Sequence, residues 1–227
     1  MMDITFFLMK NSFKSGIIYS IITNESGIAM LKSNGTIEYY NKNAQKFVAD
    51  TVDVEFKDMQ NRFLSKLEKG SYILDFGCGS GRDAKYFLEQ GMRVDATDGS
   101  EELCKIASEY SGIHVKYMLF EELDEKEKYD GIWACSSILH VQGDMLKGII
   151  KKIGRALKKG GVLYTSFKYG TFEGERNGRY FTDMTEDSFS QLICDIRELM
   201  IEEQWITSDV RPGRGEDKWL NLILRKI

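Results

Sequence analysis

Apolar positions fall three and four apart over Tyr39–Asp50 and again over Val54–Glu68. That spacing lines one face of an α-helix. After Lys69 the pattern changes. Short β-branched and aromatic runs at 72–76, 93–97, 115–119, 131–135 and 162–167 alternate with helix-period segments at 83–90, 101–110 and 145–158. Gly91 and Gly160-Gly161 are expected to stop two of those helices. Such alternation predicts a parallel sheet with helices on both faces. Two last runs, Ile201–Ser208 and Trp219–Arg225, flank a short loop holding the only proline, Pro212. They predict a C-terminal antiparallel hairpin. The expected fold class is therefore α/β, with a seven-stranded, mostly parallel sheet.

The first 37 residues follow no such rhythm. Thr5–Leu8 and Ile17–Ile22 resemble strands, and turn-prone Asn24–Gly27 and Ser33–Gly35 follow them. The expected organisation is an extension over 1–37, either a hairpin or a homodimer contact, and one domain over 38–227.

Composition narrows the class. The 227 residues are 42% hydrophobic and 29% charged, enough to build one sizeable core. The formal charge of -4 carries no basic excess for neutralising phosphates, so a nucleic-acid partner is disfavoured, though a local basic patch stays open. The four cysteines form no C-x-x-C pair and there are two histidines, so no metal site is expected. The apolar runs are shorter than the ~20 residues of a membrane span. The expected location is cytoplasmic, with free thiols.

The strongest chemical signal is Asp75-Phe76-Gly77-Cys78-Gly79-Ser80-Gly81-Arg82-Asp83, a strand running into three alternating glycines and a helix. Glycine is needed where backbone turns sharply and a ligand comes close. Gly79-Ser80-Gly81-Arg82-Asp83-Ala84 also fits a dinucleotide pattern, which alone is weak. The acid two residues before the first glycine suits a cationic ligand group and not a pyrophosphate. Asp98, ~20 residues further on, can accept from ribose hydroxyls. Ser100 suits the N-cap of the next helix.

With these motifs and Tyr129–His140 together, the chain resembles the class I S-adenosylmethionine-dependent methyltransferases over roughly 38–227. Its glycine spelling is most similar to small bacterial members near the tellurite-resistance methyltransferases. The resemblance implies a Rossmann-like fold and S-adenosylmethionine as cofactor. It implies that Asp75, Gly77, Cys78, Gly79, Gly81 and Asp83 face the methionine part, and that Asp98, Gly99 and Ser100 surround the ribose. Cys135 and Ser136 would lie at the sulfonium end. Tyr40 would come from a lid helix. Leu119 stands where family members often place an adenine-binding Asp, which leaves backbone groups, Phe120 or Glu121 for that contact.

His140 is the one histidine near the motifs that could take a proton; the alternative is a histidine satisfied by backbone. For the acceptor, Lys168, Arg179, Tyr180, Arg211 and Arg214 follow the fifth strand or join the last two, at the expected ligand edge. Arginines there suit an anionic acceptor, unless nearby acids pair with them. The expected function is in-line methyl transfer to a small-molecule acceptor. A tRNA or protein methyltransferase is the alternative within the class. A nicotinamide-dependent oxidoreductase and a non-catalytic cofactor-binding module are the alternatives outside it.

Overall fold

The structure is a computed structural model that describes residues 25–211 and 213–227, with side chains from residue 35 onward. The chain order is α1 (Glu25–Thr51), α2 (Lys57–Leu64), β1 (Tyr72–Phe76), α3 (Arg82–Glu89), β2 (Arg93–Asp98), α4 (Glu101–Ser111), β3 (Val115–Tyr117), β4 (Tyr129–Ala134), α5 (Gly143–Ala156), β5 (Leu157–Lys168), β6 (Glu173–Arg176), β7 (Arg179–Thr182), α6 (Glu186–Ile193), β8 (Leu199–Ser208) and β9 (Lys218–Lys226).

Seven strands form one sheet in the order β3-β2-β1-β4-β5-β9-β8. The first five are mutually parallel, and β9 runs antiparallel to both β5 and β8. The α/β Rossmann-like expectation and the C-terminal hairpin are both realised. The order reverses between β1 and β4, the kind of switch point where open parallel sheets bind ligands at their strand ends.

Strand alternation sorts the core onto two faces. Leu74, Phe76, Ile132, Leu163, Phe167, Leu222 and Leu224 pack on one side with α5 and α6. Ile73, Trp133, Val162, Tyr164 and Ile223 pack on the other with Phe63 of α2 and Phe87 of α3. Trp133 stacks on Tyr164 with ring centroids 4.0 Å apart.

The helix before β5 ends at Ala156, ahead of Gly160-Gly161, which lie within the strand, and α6 was not expected. Three further features depart from the sequence reading. First, Ser33–Gly35 is helix, not turn, and α1 runs through the expected 37/38 boundary. Helix-breaking propensity is overridden there by tertiary contacts. Thr36 is buried and accepts the Tyr180 amide at 2.9 Å. The expected strands at Thr5–Leu8 and Ile17–Ile22 lie outside the described residues. Second, α2 is shorter than Val54–Glu68, because the turn after Leu64 tightens to three-residue hydrogen bonds at Lys66 and Leu67. Third, a separate hairpin, β6–β7, stands between β5 and α6. Asn177 and Gly178 close it with φ of 53° and 76°, as the two central positions of a tight hairpin turn require.

Candidate functional site

A cleft of about 1490 Å³, its open mouth included, lies at the carboxyl ends of the strands. Each wall is placed by a local rule. β1 ends in the glycine loop, where Gly77, Gly79 and Gly81 all have positive φ. At Gly77 a Cβ would lie 2.5 Å from Ser137 Cβ and 3.2 Å from the Phe120 ring, so the close approach admits only glycine. β2 ends at Asp98, whose carboxylate accepts the Gly79 amide at 2.9 Å and the Ser100 amide at 2.8 Å. One acid thus ties two loops together. Burial raises its pKa.

After β4, Ser136 takes a left-handed conformation with φ 51° and its amide donates to Ser166 Oγ at 2.9 Å. A non-glycine residue there is costly and is held only by its surroundings. Burial pushes the neighbouring Cys135 thiol up to about 12, so the thiol stays protonated. The loop between β8 and β9 brings Thr207–Arg211 and Arg214 to the rim. α1 forms the roof. Its Asn41 accepts the Ser100 hydroxyl at 2.6 Å, and its Phe47 ring covers Gly79.

The expected cofactor residues mostly meet here. Tyr40, Gly77, Cys78, Gly79, Asp83, Asp98, Gly99, Ser100, Phe120, Cys135 and Ser136 line the cleft. Glu121 lines a second, smaller recess with Ile37, Gly99, Met118, Leu119 and Phe120. Two expectations need correction. Asp75 is 2% exposed and does not line the cleft. β1 is a central strand, paired on both edges and covered on both faces, so its last acid lies one layer down. Burial, and then repulsion from Asp83, hold its carboxyl well above the usual range. Its Oδ2 is buried without a partner among the described residues. Gly81 also leaves the wall: it caps α3 against Ala107, 3.0 Å from where its Cβ would be. Ser100 does cap α4, accepting the Leu103 amide.

Asp83 is a structural anchor as well as a wall. Its carboxylate accepts from Gln60 Nε2 at 2.7 Å, Trp133 Nε1 at 2.8 Å and the Arg82 guanidinium at 2.8 and 3.0 Å. Burial opposes its ionisation, but Arg82 and these donors outweigh it and lower the pKa. The sequence reading passed over Arg82 as a wall residue, although it stands in the glycine motif itself.

His140 has both nitrogens engaged, at 2.6 Å from the Tyr180 carbonyl and 2.9 Å from Tyr40 Oη. A carbonyl only accepts, so Nδ1 carries the proton and Tyr40 donates to Nε2. Burial, reinforced by the Arg179 charge, lowers the His140 pKa to about 4. The histidine is therefore a neutral link between α1 and β7, the alternative to a proton acceptor that the sequence left open.

The acceptor-side residues divide. Lys168 pairs with Asp217 at 2.8 Å and Asp209 at 3.5 Å. Arg211 forks onto Asp209 at 2.9 and 2.5 Å. Tyr180 turns from the cleft to the smaller recess, where its hydroxyl donates to Glu173 at 2.8 Å, because strand alternation on β7 gives the cleft side to Arg179 and Phe181. Arg179 and Arg214 line the cleft without an acidic partner among the described residues.

Known proteins resemble this chain in sequence over part of its length and in fold. A family profile described as a methyltransferase domain matches residues 73–161. An uncharacterised protein of Methanocaldococcus jannaschii is 34% identical over 113 residues, which cover 46% of this chain and 30% of that one. The chain thus spans under a third of that relative. An uncharacterised methyltransferase of Staphylococcus carnosus is 25% identical over 155 residues, 65% of this chain and 74% of its own. Among solved structures, the 1,6-didemethyltoxoflavin-N1-methyltransferase of Burkholderia thailandensis superposes with a TM-score of 0.70 at 21% identity, covering 92% of this chain and 93% of that one. The matched segment, the sheet order and the glycine loop agree: residues 73–161 match a methyltransferase domain, and the chain has the fold of solved methyltransferases.

Proposed function

We propose that the chain methylates a small molecule, with the cofactor lying along the glycine loop. The observation that carries this reading is the single continuous cleft that joins the glycine loop and Asp98 to Lys168, Arg179 and the β8–β9 loop. S-adenosylmethionine supplies an activated methyl group on a sulfonium. Asp98 would accept from the ribose hydroxyls through the lone pairs that Gly79 and Ser100 leave free. The recess bounded by Gly99, Phe120 and Glu121 would take the adenine. Cys135 and Ser136 would border the methionine end. Tyr40 and Phe47 of α1 would exclude water, and alignment in a dry site can supply much of the rate.

A small acceptor is supported by the shape of the site and its charge. Lys168 and Arg211 are neutralised locally by Asp217 and Asp209, and Arg176 by Asp183. These pairs leave a pocket and not a continuous cationic track of the sort that follows a phosphate backbone. The Burkholderia structure holds 1,6-didemethyltoxoflavin together with S-adenosylhomocysteine.

Calorimetric titration with S-adenosylhomocysteine tests the cofactor half. The wild type is expected to bind at micromolar levels, and Asp98→Ala to bind about tenfold or more weaker. Binding of NADH in place of S-adenosylhomocysteine would return the chain to the oxidoreductase alternative.

A further inference from the structure

The cleft contains five cationic side chains, and they are not equivalent. Arg82 is held by Asp83, Arg211 by Asp209, and Lys168 by Asp217 and Asp209. Arg214 sits exposed at the rim. Arg179 is different. It stands on β7 with its guanidinium 4.7 Å from the Tyr39 ring, 5.8 Å from Tyr40 and 5.2 Å from Phe181. Its Nε is buried and has no hydrogen-bond partner among the described residues. Its sole polar contact there is a long 3.4 Å approach of Nη1 to Tyr40 Oη. No carboxylate of the described residues lies within ion-pair distance of it. A charged donor set, oriented by rings and left without an acceptor, is costly unless a ligand completes it.

We propose that Arg179 binds a carboxylate on the methyl acceptor, so that the substrate class is small carboxylic acids. This assignment rests on the methyltransferase reading of the same cleft. Guanidinium edges match carboxylates, with two parallel N–H···O bonds from Nε and a terminal nitrogen. One uncompensated guanidinium suits a monoanion. A phosphate dianion would call for a second cation; Arg82, Lys168 and Arg211 are already paired, and Arg214 sits exposed at the rim.

The position favours the acceptor over the cofactor's own carboxylate. Arg82 is the guanidinium beside the glycine loop, close enough to feel Asp75, Asp83 and Cys135. Arg179 is carried instead by the β6–β7 hairpin, which lies outside the seven-stranded sheet that forms the cofactor half. The Tyr40–His140 hydrogen bond and the His140 link to the Tyr180 carbonyl fix the hairpin and the roof helix around it.

The test uses the full chain saturated with S-adenosylhomocysteine. Acetate, benzoate, benzamide and inorganic phosphate are titrated while the arginine Nε–H resonances are followed by NMR, the Arg179 signal being assigned by its loss in Arg179→Gln. The expected result is a saturable shift of that signal with acetate and benzoate, with benzamide and phosphate binding roughly tenfold or more weakly. Arg179→Gln is expected to lose the benzoate binding measured by calorimetry, Arg179→Lys to keep part of it, and both to bind S-adenosylhomocysteine as the wild type does. No saturable shift with either carboxylate overturns the proposal, as does benzoate binding unchanged in Arg179→Gln. Tighter binding of phosphate than of benzoate overturns it in favour of phosphorylated acceptors. Loss of S-adenosylhomocysteine binding in both variants overturns it by assigning Arg179 to the cofactor. A wild type that binds no S-adenosylhomocysteine is a failure of the cofactor reading, and the first titration reports it separately.

Discussion

A single imidazole shows how burial decides a residue's chemistry. In water His140 would titrate near pH 6.5, but desolvation, with Arg179 nearby, holds it at about 4. Above that value it is neutral and accepts from Tyr40. Its folded pKa is below its unfolded one, so the unfolded chain takes up a proton first as pH falls. Stability is therefore undiminished by this group above about pH 6.5 and falls between there and about pH 4. The expected loss between pH 7 and pH 5 is about 2 kcal/mol. Urea midpoints of the wild type and His140→Gln check this. The variant lacks that part of the pH dependence, and equal slopes would remove the neutral-link assignment. The glycines on the loop were legible as glycines because each answers a local need. Asp83 was not legible as an anchor. Its partners Gln60 and Trp133 lie 23 and 50 residues away, and no local pattern joins them.

At the scale of elements, the loop after β1 depends on contacts with the loop after β4. Gly77→Ala places a Cβ on Ser137 and forces an alanine to φ 81°. The variant is expected to lose about 2 kcal/mol or more of stability, and its affinity for S-adenosylhomocysteine is expected to drop with it. Denaturant unfolding and calorimetry on the same preparation read both; wild-type values would mean that the loop relaxes freely. The strands of the main sheet followed directly from apolar runs, because a buried parallel strand needs a continuous apolar segment. The β6–β7 hairpin did not. Each strand is four residues long and β6 carries no large apolar residue, yet Asn177-Gly178 is a strong local turn signal that the strand pattern alone does not use. The course of α1 through the expected boundary was misjudged for the opposite reason: local signals at Ser33–Gly35 point to a turn, and the contact of the next residue, Thr36, with Tyr180 holds the helix in place.

For the whole molecule, a ligand that bridges the glycine loop, the β4 end and α1 binds only the folded chain. S-adenosylhomocysteine at about a hundred times its dissociation constant is expected to stabilise the fold by roughly 2.7 kcal/mol. For a chain of this size that raises Tm by about 5–10 °C. Thermal unfolding with and without ligand checks it, and no shift at saturation would argue against binding in this cleft. The core supports such a two-faced site because adjacent strand positions point to opposite layers, as Ile132 and Trp133 do. No helix of the described residues is long and apolar enough to cross a membrane.

By itself, the sequence determined the alternation of strands and helices from β1 to β5, the antiparallel end of the sheet, the glycine loop and the acid at the end of β2. Each of these is written in neighbouring residues, through apolar periodicity, turn chemistry or a motif of fixed spacing. Only the tertiary structure decided which polar residues remain available to a ligand. Asp75 went beneath the wall, His140 was spent between Tyr40 and a carbonyl, Arg211 and Lys168 were neutralised by acids, and Arg179 was left with its charge unmet. Pairing and burial depend on which distant segments meet, and that is set by the packing of the whole chain.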